Sequence, residues 1–191
     1  SIFIVDDGST KEKCKLAILQ KYLDKLEITL YRIDIDIPWN MPEANNLAFR
    51  YIETDYVIRL DIDHYLDSEE IAKILDLNPK QNICYKFRRK DPKGNLYPNS
   101  HSHVNSYLIN KKDYWLNKGY NEFFSGHYGN DDIDFFNRMD NVCKVILLEN
   151  IFLTVVLKHS TINLDRDTTI NKKKLYRKNN PHYTFQHEDK Y

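Results

Sequence analysis

Tyr56-Val57-Ile58-Arg59-Leu60-Asp61-Ile62-Asp63 is a mostly apolar, β-branched run that passes without a break into two carboxylates. Such a run reads as a strand, Tyr56 to Leu60, with the aspartates where the chain must turn. Side chains placed there project over the end of the sheet. Two carboxylates pointing into one cleft repel each other unless a cation or hydrogen-bond donors compensate. Hard divalent ions, held by carboxylates and a substrate's phosphates, are the usual compensation. The competing account is an Asx turn that only ends the strand. The same D-x-D spacing recurs at Asp34/Asp36, Asp132/Asp134 and Asp165/Asp167, so position alone gives the pattern meaning. Asp34 and Asp36 alternate with Ile33, Ile35 and Ile37 as on a half-exposed strand, and Asp165 and Asp167 lie in a polar stretch that reads as solvated.

Outward from this point, strands and helices alternate. Ile2 to Val5 reads as a buried strand ended by Asp6-Asp7-Gly8. Ser9 and Glu12 have capping-box spacing, and Leu16, Leu19, Leu23 and Leu26 follow at helical intervals. Glu27 to Ile37 reads as a second strand. Pro42 opens a helix with Ala44, Leu47, Ala48 and Tyr51 on one side. Ser68 caps another, with Ile71, Ile74 and Leu75 facing inward. Asn82 to Arg88 and Val104 to Ile109 read as strands, Asp113 to Lys118 as a helical turn stopped by Gly119, and Asp131 to Met139 as a helix with an acidic first turn. Val145 to Leu148 and Phe152 to Leu157 complete the sheet. The pattern predicts an α/β sandwich, a mixed central sheet flanked by helices. Ligands in such sheets bind beyond the carboxyl ends of the strands, where both Asp6-Asp7 and Asp61-Ile62-Asp63 fall.

The chain has 191 residues, long enough for one domain with a sizeable core. Its 28 basic and 28 acidic side chains cancel, which excludes a whole-surface electrostatic grip on nucleic acid. Three cysteines without a CxxC pair make a disulfide framework or a cysteine zinc site an unsuitable reading and fit a reducing compartment, so the expected location is cytoplasmic, or the host cytoplasm if the source is viral. The longest apolar stretch, Ile151 to Leu157, is far shorter than the roughly 20 residues that span a bilayer. The sequence opens in a strand without an initiator methionine and reads as a fragment. Residues 1–170 are expected to form the domain, with 171–191 a basic C-terminal tail packing on or extending from it.

Three of the five glycines fall between Gly119 and Gly129. They bracket an aromatic segment that leads into Asn130-Asp131-Asp132-Ile133-Asp134, which suits a substrate-facing loop with a carboxylate general base, or equally a loop before an acidic helix cap. Tyr120, Phe123, Phe124 and Tyr128 suit stacking on sugar rings or packing in a core. His159 ends the last apolar strand; it is structural unless other ligands converge on it, and a mixed Asp/His site would point to manganese.

These positions together resemble the nucleotide-sugar glycosyltransferases of the GT-A fold, both family 2 and the galactosyltransferase-like enzymes, with small chlorovirus-type glycosyltransferase domains also similar in size. Val5-Asp6-Asp7-Gly8-Ser9-Thr10 resembles the family 2 opening. Trp39-Asn40-Met41-Pro42-Glu43-Ala44-Asn45-Asn46-Leu47-Ala48-Phe49 resembles the segment before the metal motif, and Asp61-Ile62-Asp63 stands where that motif lies. Gly119-Tyr120-Asn121-Glu122 through Gly129-Asn130-Asp131-Asp132-Ile133-Asp134-Phe135-Phe136-Asn137-Arg138 is similar to the G-x-x-D-E … G-G-E-D-x-D … N-R block, and Lys158-His159-Ser160 to the histidine motif that follows. Met41, Asn130 and Asp131 stand where Arg, Gly and Glu are usual.

The resemblance implies a metal-dependent, inverting hexosyltransferase that uses a UDP-sugar donor and a glycan or glycoconjugate acceptor. Asp7, with Asp6 beside it, would hold the nucleotide, Trp39 would pack against the base, and Asp61 would contact the ribose or diphosphate. Asp63 and His159, with Asp61, would hold Mn2+ or Mg2+. Asp132 would be the general base and Asp131 an acceptor contact. A non-catalytic nucleotide-sugar-binding module is the alternative. A nucleotidyl or phosphoryl transferase ranks last, because no G-x-x-x-x-G-K-[ST] loop is present.

Overall fold

The computed structural model describes residues 1–10, 13–97, 102–156, 165–177 and 181–182. The chain divides into two compact units, the first made of Ser1–Glu53, Lys118–Phe135 and Asp165–Tyr191, the second of Thr54–Asn117 and Phe136–Leu164.

In the first unit, β1 (Ile2–Asp6) pairs in parallel with β2 (Ile28–Arg32), setting Asp6 opposite Arg32. A parallel pair needs a crossover, and α1 (Leu16–Leu23) supplies it. The expected capping box does not start this helix. Its N-cap is Lys15, which makes no side-chain cap bond, while the Ser9 amide donates to Asp6 Oδ1 at 2.9 Å and the Cys14 amide to Asp6 Oδ2 at 3.0 Å. A buried carboxylate at the strand end captures these donors; Glu12 lies outside the described residues. No residue of α1 is buried, and Leu16 and Leu26 are exposed, so the expected apolar face is only partly covered. β2 stops at Arg32, leaving Asp34, Ile35 and Asp36 exposed beyond the sheet.

Helix α2 (Met41–Tyr51) has Pro42 in its first turn, as expected. Its buried side is different: Pro42, Glu43, Asn45, Asn46, Leu47 and Phe49 are covered, and Tyr51 is exposed. The reason is hydrogen-bond satisfaction, since a buried polar group is tolerated when paired. Asn46 clasps Tyr120 by both backbone groups, donating to its carbonyl at 2.9 Å and accepting its amide at 2.9 Å, and also donates to Glu122 Oε1 at 2.8 Å. Tyr120 in turn stacks on Phe135 with ring centroids 4.3 Å apart.

The second unit is built on a mixed sheet of β3 (Tyr56–Arg59), β4 (His64–Tyr65), β5 (Ile83–Lys90), β6 (Tyr107–Asn110) and β7 (Lys144–Val155), in the order β3-β6-β5-β7-β4. β5 and β7 are parallel and the other pairs antiparallel. The two edge strands, β3 and β4, are therefore joined by Leu60-Asp61-Ile62-Asp63 alone. Crossing three intervening strands in a flat sheet takes about 19 Å at about 4.8 Å per strand. Five residue steps reach about 18 Å at full extension. The sheet must curl for so short a link to close it, and the aspartates lie on that link.

One strand, β7, replaces the two expected over 145–157, because a register shift opposite Phe87/Arg88 lets it continue through Glu149 and Asn150. Helix α3 (Ser68–Leu75) is capped by Asp67, which accepts the Glu70 amide at 3.0 Å, rather than by Ser68. Ile74 is buried in the core with Tyr85, Phe87, Leu108, Ile151 and Leu153. Ile71 and Leu75 are exposed, and the second inward position is held by Glu70, whose Oε2 accepts the Phe152 amide at 3.0 Å beside the register shift. Helix α4 (Lys111–Leu116) is capped by Asn110, whose side chain accepts the Lys112 amide, and begins earlier than the predicted turn. Helix α5 (Asp131–Met139) has the predicted bounds. Helix α6 (Thr169–Leu175) lies in the residues expected to form the end of the domain and the tail. Among the described residues no helix is long and apolar enough to cross a membrane.

Candidate active site

In the first unit the strand end β1 supplies Asp6 and Asp7. Asp6 is buried and its oxygens are occupied: besides the Ser9 and Cys14 amides, Arg32 Nη1 donates to Oδ2 at 2.6 Å. Burial pushes its pKa up, but the two amides and the guanidinium outweigh it and hold the carboxyl below the usual value of 3.8. Asp7 behaves oppositely. Its side chain reaches solvent, yet desolvation by the surrounding chain, with the charges of Asp6 and Asp36, raises its pKa. A carboxylate so placed gains from a hydrogen-bond donor. Gly8 makes the turn that follows: its φ is +103°, and a Cβ there would stand 2.7 Å from the Ile35 carbonyl oxygen.

Trp39 sits at φ +53°, a left-handed conformation that costs a non-glycine residue of order 1–3 kcal/mol. The turn is fastened by the Gly126 amide donating to the Pro38 carbonyl at 3.0 Å. The indole lies 4.6 Å from the ring of Tyr128, and the guanidinium of Arg166 lies 5.5 Å from the same ring. Trp39 is thereby tied to the glycine-punctuated loop. That loop runs into α5, where Asp131 is buried and Asp132 half-buried, its Oδ1 accepting the Ile133 amide at 2.8 Å.

The C-terminal segment grips the same loop. Asn171, fully buried, donates from Nδ2 to the carbonyls of Phe124, His127 and Gly129 at 2.9, 2.7 and 2.8 Å. Lys174 Nζ donates to the Phe123 carbonyl at 2.6 Å, with its pKa lowered by burial.

In the second unit the link between β3 and β4 holds Asp61 and Asp63. Arg59 Nη1 bridges Asp61 Oδ1 and the Asn105 carbonyl, and His103 Nδ1 stands 3.3 Å from Asp61 Oδ2. Asp63 Oδ1 is 2.5 Å from His64 Nδ1, and its Oδ2 has no partner among the described residues. The His64 side chain is 1% exposed and its ring centroid is 4.5 Å from that of His103. Lys86 Nζ donates to the His103 and Val104 carbonyls and fixes the loop that carries His103. Burial pushes the His103 imidazole down to about 4, against the pull of the Asp61 carboxylate. These imidazoles are therefore built-in supports for the aspartates.

Asp61 and Asp63 thus lie in one unit, and Asp6, Asp7, Trp39, Asp131 and Asp132 in the other. His159 lies outside the described residues; Val156, the last described residue before it, donates its amide to the Asp63 carbonyl at 2.8 Å. His64 directly follows the D-x-D and was legible as a candidate from its place. His103, Arg32 and Asn171 are distant in sequence and carried no local signal.

No curated protein matches the sequence. Among solved structures, residues 1–349 of TarS from S. aureus superpose with a TM-score of 0.61 at 16% identity, over 91% of this chain and 59% of that one. The catalytic domain of Drosophila β1,4-galactosyltransferase 7, in complex with xylobiose, gives 0.61 at 17% identity over 96% and 81%. GalNAc-T7 with UDP, GalNAc and Mn2+ gives 0.64 at 12% over 91% and 42%. The chain thus spans about 59% of the TarS structure's length. These likenesses show the GT-A fold. Residues 1–138 match the family described as glycosyl transferase family 2, and the chain belongs to that family.

Proposed function

We propose that this chain is a metal-dependent, inverting glycosyltransferase that moves a hexose from a UDP-sugar to a hydroxyl of a glycan or glycoconjugate. The observation that carries the reading is Asp63, held through one oxygen by His64 and offering the other at the end of a curled sheet. The chemistry of Asp63 suits a divalent ion: it offers a hard carboxylate oxygen, and His159, outside the described residues, would supply an imidazole for Mn2+ or Mg2+. His159 follows Val156 by three residues, a reach of about 10 Å, and Val156 is bonded to Asp63. Asp61, engaged by Arg59 and His103, is the contact for ribose or diphosphate. When bound, the cation would neutralise charge developing on the leaving diphosphate.

The chain's own groups do the rest. Asp7 accepts a base N–H, and Asp6 shapes that pocket through Ser9, Cys14 and Arg32. Trp39 offers an aromatic face. Asp131 orients the acceptor, while Asp132 takes the proton from its hydroxyl as the oxygen attacks the anomeric carbon from the side opposite UDP. The new C–O bond forms as the bond to the diphosphate breaks, which inverts configuration. Such a base contributes about 10²- to 10⁴-fold. The ligands of two similar structures, UDP, GalNAc and Mn2+ in GalNAc-T7 and GDP-Man and Mn2+ in a mannosyltransferase from Pyrobaculum calidifontis, support a nucleotide-sugar donor.

The test is UDP release from a panel of UDP-sugars with Mn2+, with and without saccharide acceptors, beside Asp63→Ala. Release that needs Mn2+ and disappears in Asp63→Ala supports the proposal. Silence across the panel counts against it, and UDP binding without release identifies a non-catalytic binding module.

A further inference from the structure

Gly126, Gly129 and Asn130 all hold positive φ, at 91°, 80° and 67°. These reversals bring three carbonyls, those of Phe124, His127 and Gly129, onto one atom, Nδ2 of Asn171. A carboxamide nitrogen has two hydrogens, so three acceptors at 2.7–2.9 Å share them. Carbonyl oxygens converging on one buried point repel one another unless a donor stands at the focus, and Asn171 is fully buried there. The grip extends on either side. Lys174 holds the Phe123 carbonyl, Asn121 Nδ2 donates to the Pro181 carbonyl at 2.9 Å, and a Cβ on Gly129 would stand 3.2 Å from Thr168 Cγ2. All these contacts lie within the first unit, and they act on the segment that ends at Asp131 and Asp132.

We propose that Asn171 is a positioning residue for the acceptor side of the site: it shapes the 124–129 loop and, through it, sets the carboxylates of Asp131 and Asp132. This rests on the assignment of those two aspartates to the acceptor. The proposed nucleotide contacts, Asp6 at the end of β1 and Asp7 after it, make no hydrogen bond with Asn171 among the described residues. Loss of the amide should therefore disturb acceptor chemistry while sparing UDP binding. A side chain that merely adds stability would loosen the whole unit evenly.

Asn171→Ala, Asn171→Asp and Asn171→Gln in the full chain separate the two. Amide hydrogen exchange is followed at 123–134 and, as reference, at 28–32 and 41–51; UDP affinity is titrated with Mn2+ present, and UDP release is measured from UDP-glucose and UDP-galactose. The expected result is exchange about tenfold or more faster at 123–134 in the Ala and Asp variants, with reference segments and UDP affinity within about twofold. Release should fall about 10²-fold, the scale of a misplacement of about 1 Å, with partial recovery in Asn171→Gln. Unchanged exchange at 123–134, or an even rise across all three segments with a matching loss of UDP affinity, would overturn the proposal. Should the Asn171 variants not fold, Lys174→Met gives the same comparison from the edge of the grip. If the unmodified chain releases no UDP, the glycosyltransferase reading fails while the exchange pattern still decides whether Asn171 shapes the loop.

Discussion

His64 Nδ1 lies 2.5 Å from Asp63 Oδ1, and the imidazole that makes this contact is almost wholly buried. A carboxylate held by one oxygen keeps the other pointed in a fixed direction. Supports of this kind typically change metal affinity about 10- to 100-fold. His64→Ala is expected to weaken Mn2+ binding by that factor in a spin-resonance titration of the metal alone. His64→Asn, whose amide can stand in for the ring N–H, should retain most of the affinity. Equal affinity in the alanine variant would show that Asp63 needs no such support.

Asp132→Asn keeps the shape of the side chain and removes its basicity. Transfer should fall about 10²- to 10⁴-fold, while UDP affinity measured calorimetrically stays as it was. A parallel loss of UDP affinity would place Asp132 on the donor side instead.

Asp6 titrates below 3.8 in the folded chain, so the stability it adds is complete above that value and disappears as pH falls through the folded pKa. Asp6→Asn should cost about 2 kcal/mol at pH 7, the scale of hydrogen bonds to a charged group. In urea melts the gap to the unmodified chain should narrow as the pH falls below 3.8. A gap that does not change with pH would mean that charge is not what Asp6 contributes.

Gly8→Ala combines a positive φ with a Cβ 2.7 Å from the Ile35 oxygen and 2.8 Å from the Asp36 Cα, both backbone atoms that cannot swing aside. Backbone strain alone costs about 1–3 kcal/mol. The melting temperature should drop accordingly, more than for Gly94→Ala, where no atom lies within 4 Å although φ is also positive.

Glu70 is a buried carboxylate shared by Lys73, Lys90 and the Phe152 amide. Glu70→Ala leaves that amide without its acceptor, while Lys73 keeps Glu69 and Lys90 keeps Asp67, and should destabilise the chain by about 1–3 kcal/mol in denaturant melts. Glu70→Gln, which can still accept from Phe152, should cost less.

Much of the fold was legible because local chemistry and tertiary structure agree. Asp131 to Met139 has a helical period and an acidic first turn, and the helix has those bounds. Tyr56 to Leu60 reads as a strand ending at carboxylates, and it is one up to Arg59. Expectations failed where a buried polar group overrode the apolar pattern. Glu70 took an inward position expected of an aliphatic residue, Asn45 and Asn46 did so on α2, and Asp6 drew Ser9 away from a helix cap. Sheet order was not legible either, since β3 and β4, near neighbours in sequence, pair with β6 and β7 from distant segments. Within the candidate site, the acidic residues announced themselves by spacing. Their supports did not: a lone histidine at 103 has no pattern around it until the fold sets it beside Asp61.

Asn171 comes 42 residues after Gly129, the nearest of its three carbonyl partners. A ribosome adding about 5–20 residues each second needs about two to eight seconds to cover that interval. During synthesis the turn before α5 must therefore wait for its clasp with water in place of the missing amide, and α6, made well after β1, completes the unit that contains both.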